Sequence, residues 1–198
     1  SSVMGKGKKY YIIYKPKGCL SQFSKEHGKR ALGDVFDLPT DVYPVGRLDE
    51  DSEGLLLISN DKSINSKLLN PLNGHWRTYW VQVSGQIHKS AIKALVNGVD
   101  IVVKGKIHST LPARVKKGNP PKNILPLNVS EKETSWVKIS LCEGKYRQVR
   151  KMTAKVGFPT LRLVRTHVEE LELGELKPSE FKSLDKKALF HKLKLSAD

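Results

Sequence analysis

The order of the short apolar segments constrains the fold of this sequence more than any other feature. Strand-like apolar runs or alternations occupy residues 10–14, 55–59, 79–83, 99–103, 136–141 and 160–168. Helical periodicity occupies 61–69, 90–97 and 148–156, so strands and helices follow one another without regular alternation. This pattern favours an α+β fold, with a mixed, largely antiparallel sheet and flanking helices, over a doubly wound parallel sheet.

The chain carries a strong positive charge. Its 198 residues include 35 Lys and Arg against 20 Asp and Glu, which gives a net charge of +15. A protein this cationic repels itself, and such an excess usually serves to bind a polyanion. Solubility alone would be served as well by acidic residues. The composition therefore predicts nucleic acid as the partner.

Two cysteines, Cys19 and Cys142, are too few for a disulfide framework or a zinc site. Each lies beside apolar residues, so we expect reduced, half-buried thiols. No apolar stretch approaches the length of a membrane span, and residues 1–9 resemble a short basic tail or cloning remnant without an apolar signal segment. These observations predict a cytoplasmic protein with no membrane partner.

One long segment, 104–128, is rich in Pro, Gly and Asn and predicts a loop. All of its charged side chains are cations. A solvated loop and a phosphate-contacting arm are equally compatible with this composition. The cations are Lys104, Lys106, Arg114, Lys116, Lys117 and Lys122.

The segment 46–54 concentrates charge in a short loop that leads into a buried strand. Its sequence, Gly-Arg-Leu-Asp-Glu-Asp-Ser-Glu-Gly, places one cation beside four acids. Carboxylates this close repel one another when ionised, so they usually need a metal or a cationic partner. A calcium loop would require an acid where Asn60 stands and a helix after the loop, so we reject that interpretation. Spacing alone does not exclude a paired-carboxylate hydrolase.

Four segments, taken in order, resemble the motifs of pseudouridine synthases of the RsuA branch. The acidic loop, with the apolar run that follows it to Ser-Asn-Asp at 59–61, resembles the signature of that branch. The three other segments resemble its opening motif, its strand motif and its basic motif. They are Tyr-Lys-Pro-Lys-Gly at 14–18, Arg-Thr-Tyr-Trp-Val at 77–81 and Glu-Gly-Lys-Tyr-Arg-Gln-Val-Arg-Lys-Met at 143–152.

The resemblance implies the pseudouridine synthase fold. A catalytic domain at 10–184 would consist of two subdomains with the active-site cleft between them, followed by a helix or tail at 185–198. Relatives often carry an N-terminal S4 domain that binds RNA, and we expect none here because the opening motif begins near Tyr10. The alternation of Lys with Leu and Phe at 177–195 predicts a terminal helix. We expect a monomer.

The resemblance also assigns the chemistry to three side chains. Asp49 would act at the sugar–base junction of a uridine, as a nucleophile or as the base that starts elimination. Arg150 would pair with Asp49 and keep it ionised. Tyr79 would stack against the target base and assist proton removal at C5, although its position in the sequence alone would suit an ordinary strand aromatic.

A further set of cations is expected to contact RNA. Arg47 is a candidate to occupy the space that an extruded uridine leaves, while an ion pair with Glu50 or Asp51 would explain it equally well. The phosphate-binding candidates, some of which we expect on a solvated face, are Lys15, Arg77, Lys145, Arg147, Lys151, Arg162 and Arg165.

The sequence thus predicts an isomerase that converts a uridine of ribosomal RNA, in the large subunit, to pseudouridine without a metal or cofactor. This reaction involves no net redox change and no ATP, in agreement with a sequence that has no phosphate-binding loop motif. A synthase that acts on small-subunit ribosomal RNA or tRNA, and a catalytically silent RNA-binding module, are the alternatives. The joint presence of Asp49, Tyr79 and Arg150 separates an enzyme from a binding module, because binding alone would require only the cations.

Overall fold

A computed structural model describes residues 7–130 and 132–196 of the chain. Most of the predicted tail at 1–9, and the last two residues of the one at 185–198, lie outside the described residues. The strands are β1 (Tyr10–Lys15), β2 (Cys19–Leu20), β3 (Arg30–Ala31), β4 (Tyr43–Val45), β5 (Glu53–Ser59), β6 (Arg77–Ser84), β7 (Asp100–Val103), β8 (Lys106–Ser109), β9 (Arg114–Lys117), β10 (Thr134–Leu141), β11 (Thr160–Val168), β12 (Leu171–Glu172) and β13 (Phe181–Ser183). The helices are α1 (Ser63–Leu69), α2 (Lys89–Asn97), α3 (Gln148–Lys155) and α4 (Lys186–Lys192).

One large sheet organises the described residues. Its strand order is β13-β1-β5-β11-β6-β10-β9, with β4 beside β5 and β12 beside β11. The pairs in this sheet are antiparallel except for β5 and β11, which run parallel. The predicted α+β class, with a mixed and largely antiparallel sheet, is therefore confirmed.

The parallel pair explains a glycine of the acidic loop. Gly54 lies in register with Arg165, and its φ of 111° falls in a region that L side chains rarely adopt. A Cβ at this position would lie within contact distance of the Arg165 backbone and overlap its carbonyl oxygen. The backbones of β5 and β11 can approach this closely only because residue 54 has no side chain.

The core is divided along the sheet. One cluster packs Ile12 and Leu57 from the β1–β5 half against Leu189 and Phe190 of α4, and a further cluster covers the opposite face of β1 and β5. Another packs the inward side chains of β6 and β10 against α2 and α3. In the described part of the chain, no helix is both long and apolar enough to cross a bilayer.

Two predictions about local structure were wrong. The segment 104–128 is not a single loop, because β8 forms a hairpin with β7 and β9 pairs with β10 at the sheet edge. The tail at 177–195 is not one helix, because β13 pairs with β1 and the helix begins only at Lys186. β8 pairs locally with the strand just before it, whereas β9 and β13 form because pairing with a strand distant in sequence overrides the local composition.

Candidate active site

The loop that carries Asp49 connects β4 to β5, and hydrogen bonds hold its backbone in place. Ser21 bonds both backbone groups of Leu48, donating its hydroxyl to the carbonyl at 2.6 Å and accepting from the amide at 3.0 Å. The Gly18 amide donates to the Glu50 carbonyl at 2.8 Å, and the Ser52 amide donates to the Asp49 carbonyl at 3.0 Å. These bonds on both sides of Asp49 fix the backbone from which its carboxylate projects.

Lys15 belongs to the same support and does not contact solvent. Its Nζ donates to the carbonyls of Cys19 at 2.6 Å, Pro16 at 3.0 Å and Glu50 at 3.3 Å. The side chain is fully buried, and this burial lowers the pKa of Lys15 to about 8. The prediction that Lys15 binds RNA phosphate is therefore wrong, because the ammonium group is enclosed by backbone carbonyls.

Two arginines hold the acids of the loop. Arg147 Nη1 lies 3.0 Å from Asp49 Oδ2 and 3.1 Å from Asp51 Oδ1, and Nη2 lies 3.0 Å from Asp51 Oδ2. Arg150 Nη2 donates to the Asp51 carbonyl at 3.0 Å and lies 3.5 Å from Asp51 Oδ1. The predicted ion pair between Arg150 and Asp49 is therefore wrong. The arginine that pairs with Asp49 is Arg147, whereas Arg150 contacts Asp51.

The electrostatics of this cluster follow from that geometry. The hydrogen bond from Arg147 lowers the pKa of Asp51, and the same bond raises the pKa of Arg147. Burial lowers the pKa of Arg150. Forked, charge-assisted hydrogen bonds of this kind fix geometry as well as charge. The acids therefore have cationic partners from the protein itself.

The backbone of Arg147 is strained. Its φ of 52° and ψ of 36° place it in the left-handed region at the start of α3, where residues other than glycine are uncommon. Strained backbone persists where the surroundings determine it and often marks functional sites. Here the strain coincides with the residue whose guanidinium contacts two loop acids.

A cavity of about 360 Å³ opens beside the cluster. Its lining includes Asp49 from the loop, Tyr79 from β6 and Arg165 from β11. Tyr79 and Arg165 lie directly opposite each other in register, and the Tyr79 hydroxyl lies beside the Arg165 guanidinium. Asp49 and Tyr79, the two predicted catalytic residues that are far apart in the sequence, therefore line one cavity. Arg150 contacts the same loop through Asp51.

The predicted RNA-contacting cations fall into separate groups. Arg47 and Lys145 are exposed, and Arg77 is half-buried at the same cavity. Lys151 lies outside the lining, with its Nζ 5.3 Å from the ring centroid of the exposed Tyr146. These four side chains are accessible to RNA.

Arg162 is a correction to the predicted set. It is 2% exposed and makes a forked ion pair with Glu53, with Nε–Oε2 at 3.0 Å and Nη2–Oε1 at 2.8 Å. Its Nη1 also donates to the Leu125 carbonyl at 2.9 Å. A phosphate cannot reach this guanidinium, so Arg162 stabilises the fold. Arg165, at 7% exposed, also cannot act as a surface phosphate ligand.

Sequence reasoning missed one further group beside the cavity. Glu143 accepts hydrogen bonds from the Leu111 amide at 2.7 Å, from Gln148 at 2.9 Å and from His108 at 2.8 Å. It thereby ties the 104–128 segment to the loop that carries Arg147. The available signal was that Glu143 is the one acid in the basic motif at 143–152.

A metal ion would need several His, Cys, Asp or Glu side chains grouped in one place. Within residues 7–130 and 132–196, no three His, Cys, Asp or Glu side chains come together in such a group. The Asp49 loop contributes two carboxylates to one place, and both are occupied by guanidinium groups.

Comparison with known proteins identifies the family. Residues 9–155 match the family of RNA pseudouridylate synthases. Ribosomal large subunit pseudouridine synthase E of Vibrio parahaemolyticus is 40% identical over 185 residues, covering 89% of this chain and 74% of that protein. The enzyme of the same name from Xanthomonas campestris is 40% identical over 185 residues, covering 90% and 96%. Ribosomal large subunit pseudouridine synthase B of Bacillus subtilis is 34% identical over 184 residues, covering 88% and 70%.

The fold agrees with this match. A solved crystal structure of a pseudouridylate synthase superposes with a TM-score of 0.75 at 24% identity, covering 94% of this chain and 74% of that one. The cavity between the Asp49 loop and the β6–β11 pair lies within the same fold. The chain therefore belongs to the RNA pseudouridylate synthase family and is an RNA pseudouridine synthase, as its motifs predict.

Proposed function

We propose that this chain converts a uridine of large-subunit ribosomal RNA to pseudouridine and that Asp49 is the carboxylate that acts at the sugar–base junction. The names of the relatives at 40% identity support the choice of RNA. We also propose that the enzyme acts as a monomer in the cytoplasm and needs no cofactor.

The reaction needs a carboxylate next to the ribose. The C1′–N1 bond breaks, the base turns, and C5 bonds to C1′ while the C5 proton leaves and N1 gains a proton. Asp49 would start this sequence by attacking C1′ or by removing a ribose proton. The uridine must leave its stack to reach the cavity, because its reacting atoms are inaccessible inside a helix.

The position of Asp49 is the observation that carries the proposal. Its side chain is 39% exposed, lines the cavity and pairs with Arg147. The paired guanidinium orients the carboxylate, and its exposed edge remains open to a nucleoside. Tyr79 lines the same cavity, where it would face the base.

The accessible cations at the cavity would supply a path for the RNA backbone. Arg47, Arg77 and Lys145 would contact phosphates on either side of the flipped uridine, while the hairpin of β7 and β8 would extend this surface through Lys104 and Lys106. Glu143 supports this arrangement, since it joins the segment after the hairpin to the cavity loop. Phosphate contacts of this type position RNA without reading its sequence.

Substitution of the proposed catalytic carboxylate tests the function. Asp49→Asn should give no detectable pseudouridine in a large-subunit transcript while the affinity for that RNA changes little. Tritium release from C5-labelled uridine measures turnover, because the C5 proton leaves during the reaction. Glu50→Gln is the matched control, since its side chain is an adjacent acid that contacts neither Arg147 nor Arg150. It should react like the wild type.

The same assay distinguishes the alternatives. Turnover by Asp49→Asn at the wild-type rate would eliminate the proposed role of Asp49. Wild-type activity confined to small-subunit or tRNA transcripts would overturn the choice of substrate. Tight RNA binding without turnover on any of the three would indicate a silent binding module.

A further inference from the structure

Two arginines on β11 are buried in different ways. Side chains alternate across a strand, so Arg162 and Arg165, three positions apart, face opposite sides of the sheet. Arg162 has a carboxylate partner in Glu53, and its guanidinium also lies 5.5 Å from the Trp136 ring centroid. The charge of Arg162 is thus neutralised within the fold, as buried charges normally are.

Arg165 has no such partner. Its Nε donates to the neutral Leu55 carbonyl at 3.0 Å, and the charged or titratable groups that influence it are Tyr79 and Arg77. No carboxylate lies within ion-pair distance of it among residues 7–130 and 132–196. Desolvation of an unpaired buried cation is unfavourable, so the fold tolerates it only where something else compensates.

The guanidinium of Arg165 borders the cavity. In the described chain its side-chain hydrogen-bonding neighbour is the Tyr79 hydroxyl, and both residues line the cavity. The close contact of Gly54 with the Arg165 backbone fixes this strand against the end of the Asp49 loop. The backbone that carries Arg165 and the strand that follows the Asp49 loop are therefore held together by this packing.

We propose that Arg165 binds the uracil ring of the flipped nucleotide and stabilises the negative charge that the ring carries when the C1′–N1 bond breaks. This inference rests on the proposed function. The electron pair of that bond goes to the departing uracil, where N1 and the two carbonyl oxygens share it. The Nη donors would contact a carbonyl oxygen until C5 attacks C1′, the C5 proton leaves and N1 is protonated.

The depth of Arg165 favours the base over a phosphate as its ligand. At 7% exposure it lies on the sheet floor beside Tyr79, whereas the exposed Arg47 and Lys145 lie at the cavity mouth. A nucleotide that enters base first places its ring on the floor and its phosphates at the mouth. A preorganised donor at such a buried position is most effective where charge develops during the reaction.

Single-turnover kinetics on large-subunit RNA test this role. Arg165→Met should lower the rate constant by roughly 100- to 1000-fold, as loss of one donor to a developing charge typically does, while the RNA dissociation constant stays within a few-fold of wild type. Arg165→Lys keeps the charge but not the fork and should retain more of the rate than Arg165→Met. Added guanidinium ion should partly restore Arg165→Ala.

Arg162→Lys is the matched control, because it alters the other buried arginine of β11. It should lower the melting temperature without changing the rate constant of the folded enzyme. Should Arg165→Met not fold, Arg165→Lys and guanidinium rescue still decide the question.

Two results would overturn the inference. One is a wild-type rate constant for folded Arg165→Met. The other is weaker binding, with an unchanged rate constant and a salt slope reduced by about 0.7 to 0.9, which would identify a phosphate ligand. Failure of the wild-type enzyme to isomerise this RNA would instead count against the proposed function.

Discussion

Two ion-pair clusters lie at opposite ends of the same short acidic segment and differ in their access to water. Glu53 and Arg162 are 3% and 2% exposed and bind each other through a fork. Asp49, Asp51 and Arg147 are 39%, 42% and 32% exposed. Asp51 and Glu53 are therefore only two positions apart in the chain, yet one belongs to a wet cluster and the other to a dry ion pair.

The difference shows what each cluster can do. The dry pair is sealed between β5 and β11, and so it can only hold the strands together. The wet cluster borders a cavity, so the exposed edge of Asp49 is open to a bound nucleotide while Arg147 holds the carboxylate. Burial, and not the type of residue, separates the structural acid Glu53 from the proposed catalytic acid Asp49.

The largest expected effect is on stability and falls on the dry pair. Arg162→Met leaves Glu53 buried without a partner and should lower the free energy of unfolding by roughly 3–5 kcal/mol. Arg147→Met removes a partly solvated partner and should cost about 1 kcal/mol or less. Urea denaturation of both variants measures the two values. Equal losses would show that the clusters do not differ in the way their exposure implies.

The next effect is on the reaction and falls on the wet cluster. Arg147→Met should lower the single-turnover rate by roughly 10- to 100-fold, because a carboxylate displaced by about 1 Å reacts that much more slowly. Its RNA salt slope should stay at the wild-type value, since the guanidinium is occupied by Asp49 and Asp51.

Arg147→Lys is the control for this effect. It keeps the charge without the fork and should give an intermediate rate. A lower salt slope for Arg147→Met, together with an unchanged rate, would return Arg147 to the role of a phosphate ligand predicted from the sequence.

The sequence was informative where the structure is local. The strands near 10–14, 55–59 and 160–168 were predictable from apolar runs, and the motifs located the loop of Asp49. The sequence did not predict which of Arg147 and Arg150 pairs with Asp49, because the answer depends on a left-handed backbone conformation at residue 147. Both arginines stand in the same basic motif, and only the tertiary fold decides which one reaches Asp49.

The burial of individual arginines was also not predictable from the sequence. Arg162 and Arg165 look alike in a sequence of alternating Leu, Val and Arg, and both were predicted to bind phosphate. Glu53 neutralises Arg162, while Arg165 lines the cavity, and neither contact can be predicted from the neighbouring residues in the sequence. Likewise, β9 has the composition of a loop and becomes a strand only because β10 offers it an edge.

The smallest expected effect concerns Lys15, the dry anchor beneath the wet cluster. Its pKa of about 8 in the folded protein lies below the value near 10.4 expected for the unfolded chain. Between these two values the unfolded chain binds more protons than the folded one, so the free energy of unfolding should rise with pH.

The maximum slope from this one group is about 1.4 kcal/mol per pH unit. Urea denaturation of the wild type and of Lys15→Met between pH 7 and pH 10 isolates it, since other groups titrate in both proteins. The free energy of unfolding of the wild type should increase relative to that of the variant as the pH rises through 8. At the lower end of the range, near pH 7, the difference between the two proteins should change little. No relative increase up to pH 10 would mean that the pKa of Lys15 is not lowered in the folded protein and that its three carbonyl partners favour the charged ammonium despite full burial. In that case Lys15 would support the Asp49 loop through its charge, and the contrast between a dry support and a wet cluster would no longer hold.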